Sequence, residues 1–340
     1  CLAAEPVERA SLVAAIAAQH IDILNRHVEL VAAGIFERDA IMRAGPDRDR
    51  GQPFIAPDAM VEVDDQVADA ERCEFRQERI TSIDPATRRV VTDQSDYQPD
   101  FLVIALGADY EPEATPGFTE DGYDFYTVDG AARLRDRLAE FTSGTIVLGA
   151  RSLPIKCPPA PYEAVLLLHA HLVERGIRDA VTIKVISPMP SPIPVSPETS
   201  EALITAMAER CIIYRPETKI HSLDPNQHLA HTDTDTEPYD LFIGIPKHRV
   251  PDVIDASGLT AGGNDGWIAV DPATLATKHA GVYAIGDCAD APVPRAGVYA
   301  EDAARTVATH IAAQLHGTPF TAQYSGRGVC YIEFGDGRVG

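Results

Sequence analysis

Lys156-Cys157-Pro158-Pro159-Ala160-Pro161-Tyr162-Glu163 is the stretch on which the reading of the whole chain turns. It follows an apolar strand, Thr145-Ile146-Val147-Leu148-Gly149, and opens an apolar helix that runs to about Arg175. At such a strand–turn–helix junction a dinucleotide-binding unit carries G-x-G-x-x-G, so that backbone N–H groups and the helix N-terminus hold a pyrophosphate. Here the glycines are absent and a cysteine among prolines takes their place. Proline suits the first helical turn, where a missing N–H costs little, and it stiffens the approach. A thiol at a helix N-terminus beside Lys156 is expected to lean towards thiolate. The turn reads as a holder of sulfur rather than of phosphate. The competing reading is a small buried cysteine at a helix start.

The 340 residues allow two or three domains and an ample core. A net charge of −22 argues against a nucleic-acid partner and against anionic membrane surfaces. No apolar run is long enough to span a bilayer, which leaves peripheral membrane contact as the expected limit. Leu12 to Leu24 is interrupted by Gln19, His20 and Asp22 and has no basic flank, so it makes a poor signal-peptide core. Cysteines stand at 1, 73, 157, 211, 288 and 330, none in C-x-x-C spacing. That spacing predicts no metal site and no secreted disulfide scaffold. A cytoplasmic protein with one functional cysteine pair fits better. Asp233, Asp235 and Glu237 lack the glycine and distal glutamate of a calcium loop and read as a solvated turn. His169 and His171, two apart on a helix, face different ways and cannot chelate together.

Along the chain, a helix is expected over Glu8–Asn25, where Leu12, Val13, Ile16, His20 and Ile23 fall near one face. Arg38–Gly51 reads as loop. Cys73–Glu78 and Arg89–Thr92 read as strands of an antiparallel meander, with Asp84-Pro85-Ala86-Thr87 turning between Ile83 and Val90. Phe101–Gly107 is continuously apolar, the pattern of a parallel strand buried on both faces. Further strands are expected at Val181–Ile186, Ile212–Tyr214, Leu241–Pro246, Trp267–Asp271, Gly281–Asp287 and Val329–Phe334. Helices are expected at Ala131–Phe141, Glu198–Arg210 and Val298–Leu315. After Ile186, where an NAD-binding unit places an acidic residue for the ribose hydroxyls, the chain has Ser187-Pro188.

Several stretches resemble one superfamily. Phe101 to Ala108 is similar to the "hhhATGA" strand and turn of two-dinucleotide-binding-domain flavoproteins, with Leu106 in place of the usual threonine. Thr277 to Asp287 resembles their second flavin fingerprint. In it Gly286 lets the backbone approach the cofactor and the Asp287 carboxylate accepts a ribityl hydroxyl. Lys156–Glu163 and Gly328–Gly335 resemble the sulfide:quinone oxidoreductase and flavocytochrome c sulfide dehydrogenase flavoprotein group. Asp271–Thr277 and Pro294–Glu301 belong to the same likeness, which covers about residues 73–340.

The resemblance implies an α/β, three-layer β/β/α fold with two dinucleotide-binding domains and an incomplete N-terminal βαβ unit. It divides the chain into an atypical segment 1–72, a flavin-domain part 73–143, a central NAD-like domain 144–253 without a nucleotide motif, a flavin-domain return 254–316 and a β tail 317–340. It implies FAD, bound by Gly107, Ala108, Gly286, Asp287, Gly297 and Val298, the last two opening a helix against the flavin's pyrimidine edge. It further implies a redox disulfide between Cys157 and Cys330 over the flavin. In the family's chemistry HS⁻ opens that disulfide, Cys330 carries the persulfide, and two electrons pass through the flavin to a quinone or a cytochrome. Glu163 would carry a proton; its alternative is a first-turn carboxylate favoured by the helix dipole. Three departures stand out: residues 1–72 carry no strand-borne G-x-G-x-x-G of the kind that opens the family, they do not otherwise resemble it, and the chain stops at Gly340 without the family's amphipathic docking tail. Cys288 replaces a more usual apolar residue and reads as core. Two other readings are an NAD(P)H-dependent flavoprotein reductase of the same fold and a truncated or frame-shifted remnant that binds no FAD.

Overall fold

The computed structural model describes residues 30–33, 76 and 78–340. The expected helix Glu8–Asn25, the loop Arg38–Gly51 and positions 73–75 and 77 of the expected strand Cys73–Glu78 lie outside those residues; 76 and 78 are not in a strand, and the meander's first strand is Ile80–Asp84. The chain divides into two compact units, residues 1–108 with 250–328 and residues 109–249 with 329–340.

In the first unit three parallel strands lie in the order Leu30–Ala33, Phe101–Ile104, Val282–Ala284. The middle strand carries the long apolar run, and its Leu102, Val103 and Ile104 are buried, as a strand covered on both faces requires. Sequence reading expects segment 1–72 to pack poorly or to differ from a βαβ unit; of that segment the described residues Leu30-Val31-Ala32-Ala33 pair in parallel along Phe101–Ile104, a strand that reading does not expect. A four-residue apolar run amid charged sequence gives little signal, but the edge of the Phe101 strand satisfies its backbone groups. One face of the sheet packs on the meander Ile80–Asp84, Arg89–Thr92, Asp96–Tyr97, with Ile83 opposite Val90. Asp84 shapes the turn, accepting the Ala86 N–H and the Thr87 hydroxyl. The other face is covered by the helix Gly297–His316 through Ala303, Ala304, Val307 and Ile311.

In the second unit five parallel strands lie in the order Ile212–Arg215, Val181–Ile186, Gly144–Ala150, Leu241–Ile245, Gly122–Tyr123. Parallel neighbours need crossovers, and the helices Ala160–Glu174 and Pro197–Glu209 supply two of them. Val165, Leu166, Leu172, Leu203 and Met207 pack on Ile146, Leu148, Ile183, Val185 and Ile243. On the opposite face Val147, Ile186 and Phe242 meet Ile220, Leu223 and Ala230 of a small antiparallel sheet. The layering is therefore β/β/α. Residues 109–143, placed with the flavin half on sequence, lie here because Gly122–Tyr123 is the edge strand beside Phe242–Ile243.

The tail also differs from expectation. Residues 329–340 form a tight return rather than a strand: Ile332 and Gly340 exchange N–H···O bonds, and Phe334 N–H donates to the Arg338 carbonyl. Gly335 and Gly337, both at φ +80, make the bend possible. Among the described residues no helix is long and apolar enough to cross a membrane.

Candidate active site

The loop after Gly144–Ala150 ends in the cysteine turn, and the helix begins at Ala160 with Pro159 as its N-cap. Pro158, Pro159 and Pro161 bring no N–H to this helix start. The amides that remain are spent locally: Ala160 N–H donates to the Cys157 carbonyl at 2.8 Å, and Tyr162 and Glu163 both donate to Pro159. No fan of amides converges as a pyrophosphate requires.

Cys157 has φ +50, in the left-handed region a non-glycine residue rarely adopts. The residue before it is held at both ends. Tyr126 donates its hydroxyl to the Lys156 carbonyl at 2.9 Å, and Lys156 N–H donates to His248 Nε2 at 3.2 Å. His248 is buried and donates from Nδ1 to the Pro246 carbonyl at 2.8 Å, so the accepting Nε2 fixes the neutral tautomer. Tyr110, Tyr126 and His248 meet edge to face, and the Lys156 ammonium lies 4.4 Å from the Tyr110 ring centre.

Cys330 arrives on the tail, which is fastened along the cysteine helix. Glu163 Oε1 accepts the Glu333 N–H at 2.8 Å. Ile332 is buried in the core under the helix. Gly335 lies so close to the helix that a Cβ there would stand 2.7 Å from the Leu166 carbonyl oxygen. Beyond it Asp336 pairs with Arg210 at 2.9 Å. The structure thus brings Glu163 to the segment bearing Cys330. Both are free thiols, as are Cys211 and Cys288 among the described residues.

The expected thiolate bias at Cys157 is overturned. Burial pushes the thiol up to about 11, aided by the charges of Cys330 and Glu163 and opposed by the Ala160 N–H. The prolines remove amides that would stabilise a thiolate, so desolvation wins over the helix end. Burial also raises Cys330, and it raises Glu163 against the Glu333 N–H bond. Cys288 is fully buried, is pushed up to about 12, and donates to the Ile285 carbonyl, so it is a core thiol.

The expected flavin residues gather in the first unit. Gly107 follows the Phe101–Ile104 strand at φ +70 with no atom within 4 Å of where a Cβ would stand, and Ala108 is buried beside it. Gly286, at φ +69, opens the turn that carries Asp287 after Val282–Ala284. Gly297 and Val298 begin the long helix, whose N-terminus has no side-chain cap. Tyr299 and Ala300 N–H donate to the Ala296 carbonyl, and the positive end of the helix dipole there suits developing negative charge. A cavity between the Gly286 turn and the long helix is lined by Gly286, Asp287, Arg295, Ala296 and Tyr299, and Gly107, Ala108, Gly297 and Val298 are not among its lining residues. Missing Cβ atoms, an uncapped helix end and a carboxylate after the strand fit a flavin and its ribityl chain. The turn after Leu30–Ala33, where a pyrophosphate loop would stand, lies outside the described residues. Sequence reasoning passed over Tyr126 and His248, although His248 follows a buried parallel strand at its carboxyl end, where functional groups collect. It also passed over Arg295, which packs 3.9 Å over Trp267 and donates to the Asp287 carbonyl.

Comparison with known proteins agrees with this geometry. Residues 9–317 match the family described as pyridine nucleotide-disulphide oxidoreductase. The match begins well inside segment 1–72, which the sequence reading had set apart. The sulfide-quinone reductase of Aquifex aeolicus is 26% identical over 290 residues, covering 77% of this chain and 66% of that protein. The mitochondrial sulfide:quinone oxidoreductase of Schizosaccharomyces pombe is 23% identical over 291 residues, covering 79% and 62%. The chain thus spans slightly less than two thirds of the length of these relatives. Among solved structures, the Aquifex aeolicus sulfide:quinone oxidoreductase aligns with TM-score 0.65 at 21% identity, over 77% of this chain and 66% of the other. A ferredoxin reductase from Rhodopseudomonas palustris aligns with TM-score 0.59 at 20% identity, over 83% and 67%. These two structures share the fold, that of FAD-binding flavoproteins with two dinucleotide-binding domains. With its flavin-fingerprint turns and cysteine helix both inside the matched span, the chain belongs to the pyridine nucleotide-disulphide oxidoreductase family.

Proposed function

We propose that the protein is an FAD-dependent oxidoreductase that oxidises sulfide, or a related small sulfur compound, through Cys157 and Cys330. The electrons go on to a quinone or a cytochrome, a quinone requiring peripheral contact with a membrane. The observation that carries this reading is the fastening of the Cys330 tail to the helix opened by Cys157, through Glu163 and the Glu333 amide.

In the oxidised state the two sulfurs form a disulfide. HS⁻ attacks the Cys330 sulfur, the less deeply buried of the two. The S–S bond breaks, its electron pair goes to the Cys157 sulfur, and Cys330 is left as the persulfide. A second HS⁻ takes the outer sulfur away as hydrogen disulfide and leaves Cys330 as a thiol. Two HS⁻ and one disulfide become HSS⁻, one thiol and one thiolate, so atoms and charge balance. A sulfur that titrates at about 11 is a poor leaving group unless a proton reaches it. Glu163, one turn into the helix and raised by burial, holds a proton nearer neutrality than an exposed carboxyl does and supplies it to Cys157. Bound FAD supplies the two-electron oxidation that returns the dithiol to the disulfide. Gly107, Ala108, Gly286, Asp287, Gly297 and Val298 would hold that FAD.

The test is anaerobic mixing of the purified yellow protein with sulfide and, separately, with NADH. Bleaching of the flavin bands by sulfide alone is expected. Bleaching by NADH alone would replace this reading with a nicotinamide-dependent reductase, and a colourless protein that takes up no FAD would remove both.

A further inference from the structure

Cys157 sits in a backbone conformation that it would not choose. A non-glycine residue at φ +50 is strained and persists only where the surroundings impose it. Two hydrogen bonds from outside the turn impose it here. The Tyr126 hydroxyl holds the carbonyl of the peptide leading into Cys157, and His248 Nε2 holds the N–H of the peptide before that. Two successive peptide planes ahead of the sulfur are thus fixed by side chains 30 and 92 residues away in sequence.

Both side chains are themselves held. Tyr126 stands in a turn where Asp124 accepts its N–H at 3.0 Å and that of Thr127 at 2.8 Å, just before the helix Val128–Glu140. His248 lies in the strand Lys247–Arg249, opposite Tyr110 of Asp109–Glu111. Its proton is committed to Pro246, so Nε2 faces Lys156 as an acceptor. The rings of Tyr126 and His248 meet at 89° with centres 5.3 Å apart, and neither can swing without displacing the other.

We infer that Tyr126 and His248 are positioning residues for the redox thiol: together they clamp Lys156 and so present the Cys157 sulfur to the segment that carries Cys330. Neither touches a reacting atom. The inference rests on the proposed use of Cys157 and Cys330 as a pair, but its test separates the two.

The experiment uses the full chain, reduced, with Cys157 alkylation by iodoacetamide read peptide by peptide in the mass spectrometer. Tyr126→Phe removes only a hydroxyl, while His248→Leu removes the Nε2 acceptor together with the Nδ1 bond to Pro246 and the ring contacts with Tyr110 and Tyr126. Each should raise the Cys157 rate about tenfold, the equivalent of one lost hydrogen bond. His248→Gln restores an acceptor near the Nε2 position and should stay within about threefold of the parent. Amide exchange over Leu241–Ile245, in the core of the same unit, should not change in any variant. Unchanged Cys157 rates in both disruptive variants overturn the clamp. So does a rise matched by faster exchange across Leu241–Ile245, or a His248→Gln variant as reactive as His248→Leu. A parent protein that forms no Cys157–Cys330 disulfide in oxidised glutathione, yet gives these rates, keeps the clamp and removes the redox pair. A parent that forms the disulfide while Cys157 ignores both substitutions keeps the pair and removes the clamp.

Discussion

Titration of Cys157 in the reduced protein is expected to be displaced to the alkaline side by about two pH units. The thiol's ordinary value is 9.0 and burial, with the charges of Cys330 and Glu163, moves it to about 11. Near pH 8 about one such thiol in a thousand is ionised, against about one in ten at the ordinary value. The hundredfold loss of thiolate is offset about tenfold, because a more basic thiolate is a stronger nucleophile. The alkylation rate alone is therefore a weak measure, about tenfold down, whereas the midpoint of its pH profile carries the whole shift. In Cys330→Ser the midpoint should fall, since one cause is gone, yet stay above 9 because burial is the largest. The same shift is a stability statement. A folded value above the unfolded one contributes fully below about pH 9 and is lost as pH rises through about 11, to the extent of about 3 kcal/mol. Urea unfolding of the reduced parent at the two ends of that window, set against Cys157→Ser, isolates this contribution. A midpoint at or below pH 8, or equal alkaline losses in parent and variant, would refute the claim that desolvation governs this sulfur.

Other consequences follow from the tail and the turn. Gly335→Ala places a Cβ 2.7 Å from the Leu166 carbonyl at φ +80, so it should loosen the tail by about 1–3 kcal/mol and speed tryptic cleavage at Arg327 and Arg338. The Asp336 carboxyl is held at about 2, chiefly by Arg338 and also by Arg210. Its contribution is present above its ordinary 3.8 and is lost as pH falls towards 2, so exchange protection of residues 329–340 should decline over that window in the parent and not in Asp336→Asn. NADH should bind the second unit more weakly than low micromolar in calorimetry. Micromolar affinity is roughly −8 kcal/mol, and a helix start with prolines at 158, 159 and 161, whose Ala160, Tyr162 and Glu163 amides are spent on Cys157 and Pro159, has no source for it.

The parts of this molecule that were legible in sequence are those whose signal is local. Strands buried on both faces announce themselves as apolar runs, and Phe101–Ile104, Gly144–Ala150 and Leu241–Ile245 fall where such runs stand, while Val181–Ile186 shows the alternation of a strand with one wetter face. The turn at Asp84 was readable because its side chain makes the turn. Leu30–Ala33 was not, since four small apolar residues become a strand only when an edge is offered to them. The tail was read as a strand from Val329-Cys330-Tyr331-Ile332, but two glycines at φ +80 bend it back, and only Ile332 of these is buried. The acidity of Cys157 was misjudged because a helix N-terminus is visible in sequence and desolvation is not. Tyr126 and His248 reach the cysteine turn from the turn before the helix Val128–Glu140 and from the strand Lys247–Arg249, and that kind of proximity leaves no trace in spacing.

The central claim, that Cys157 and Cys330 act as one redox pair, is tested most directly by stopped-flow mixing of sulfide with the FAD-loaded protein under anaerobic conditions. The parent should lose its flavin absorbance, while Cys157→Ser and Cys330→Ser should each keep both the bound flavin and its colour, because neither thiol alone offers a disulfide for HS⁻ to open. Full bleaching in either variant would contradict the account and leave two half-buried cysteines with no shared chemistry.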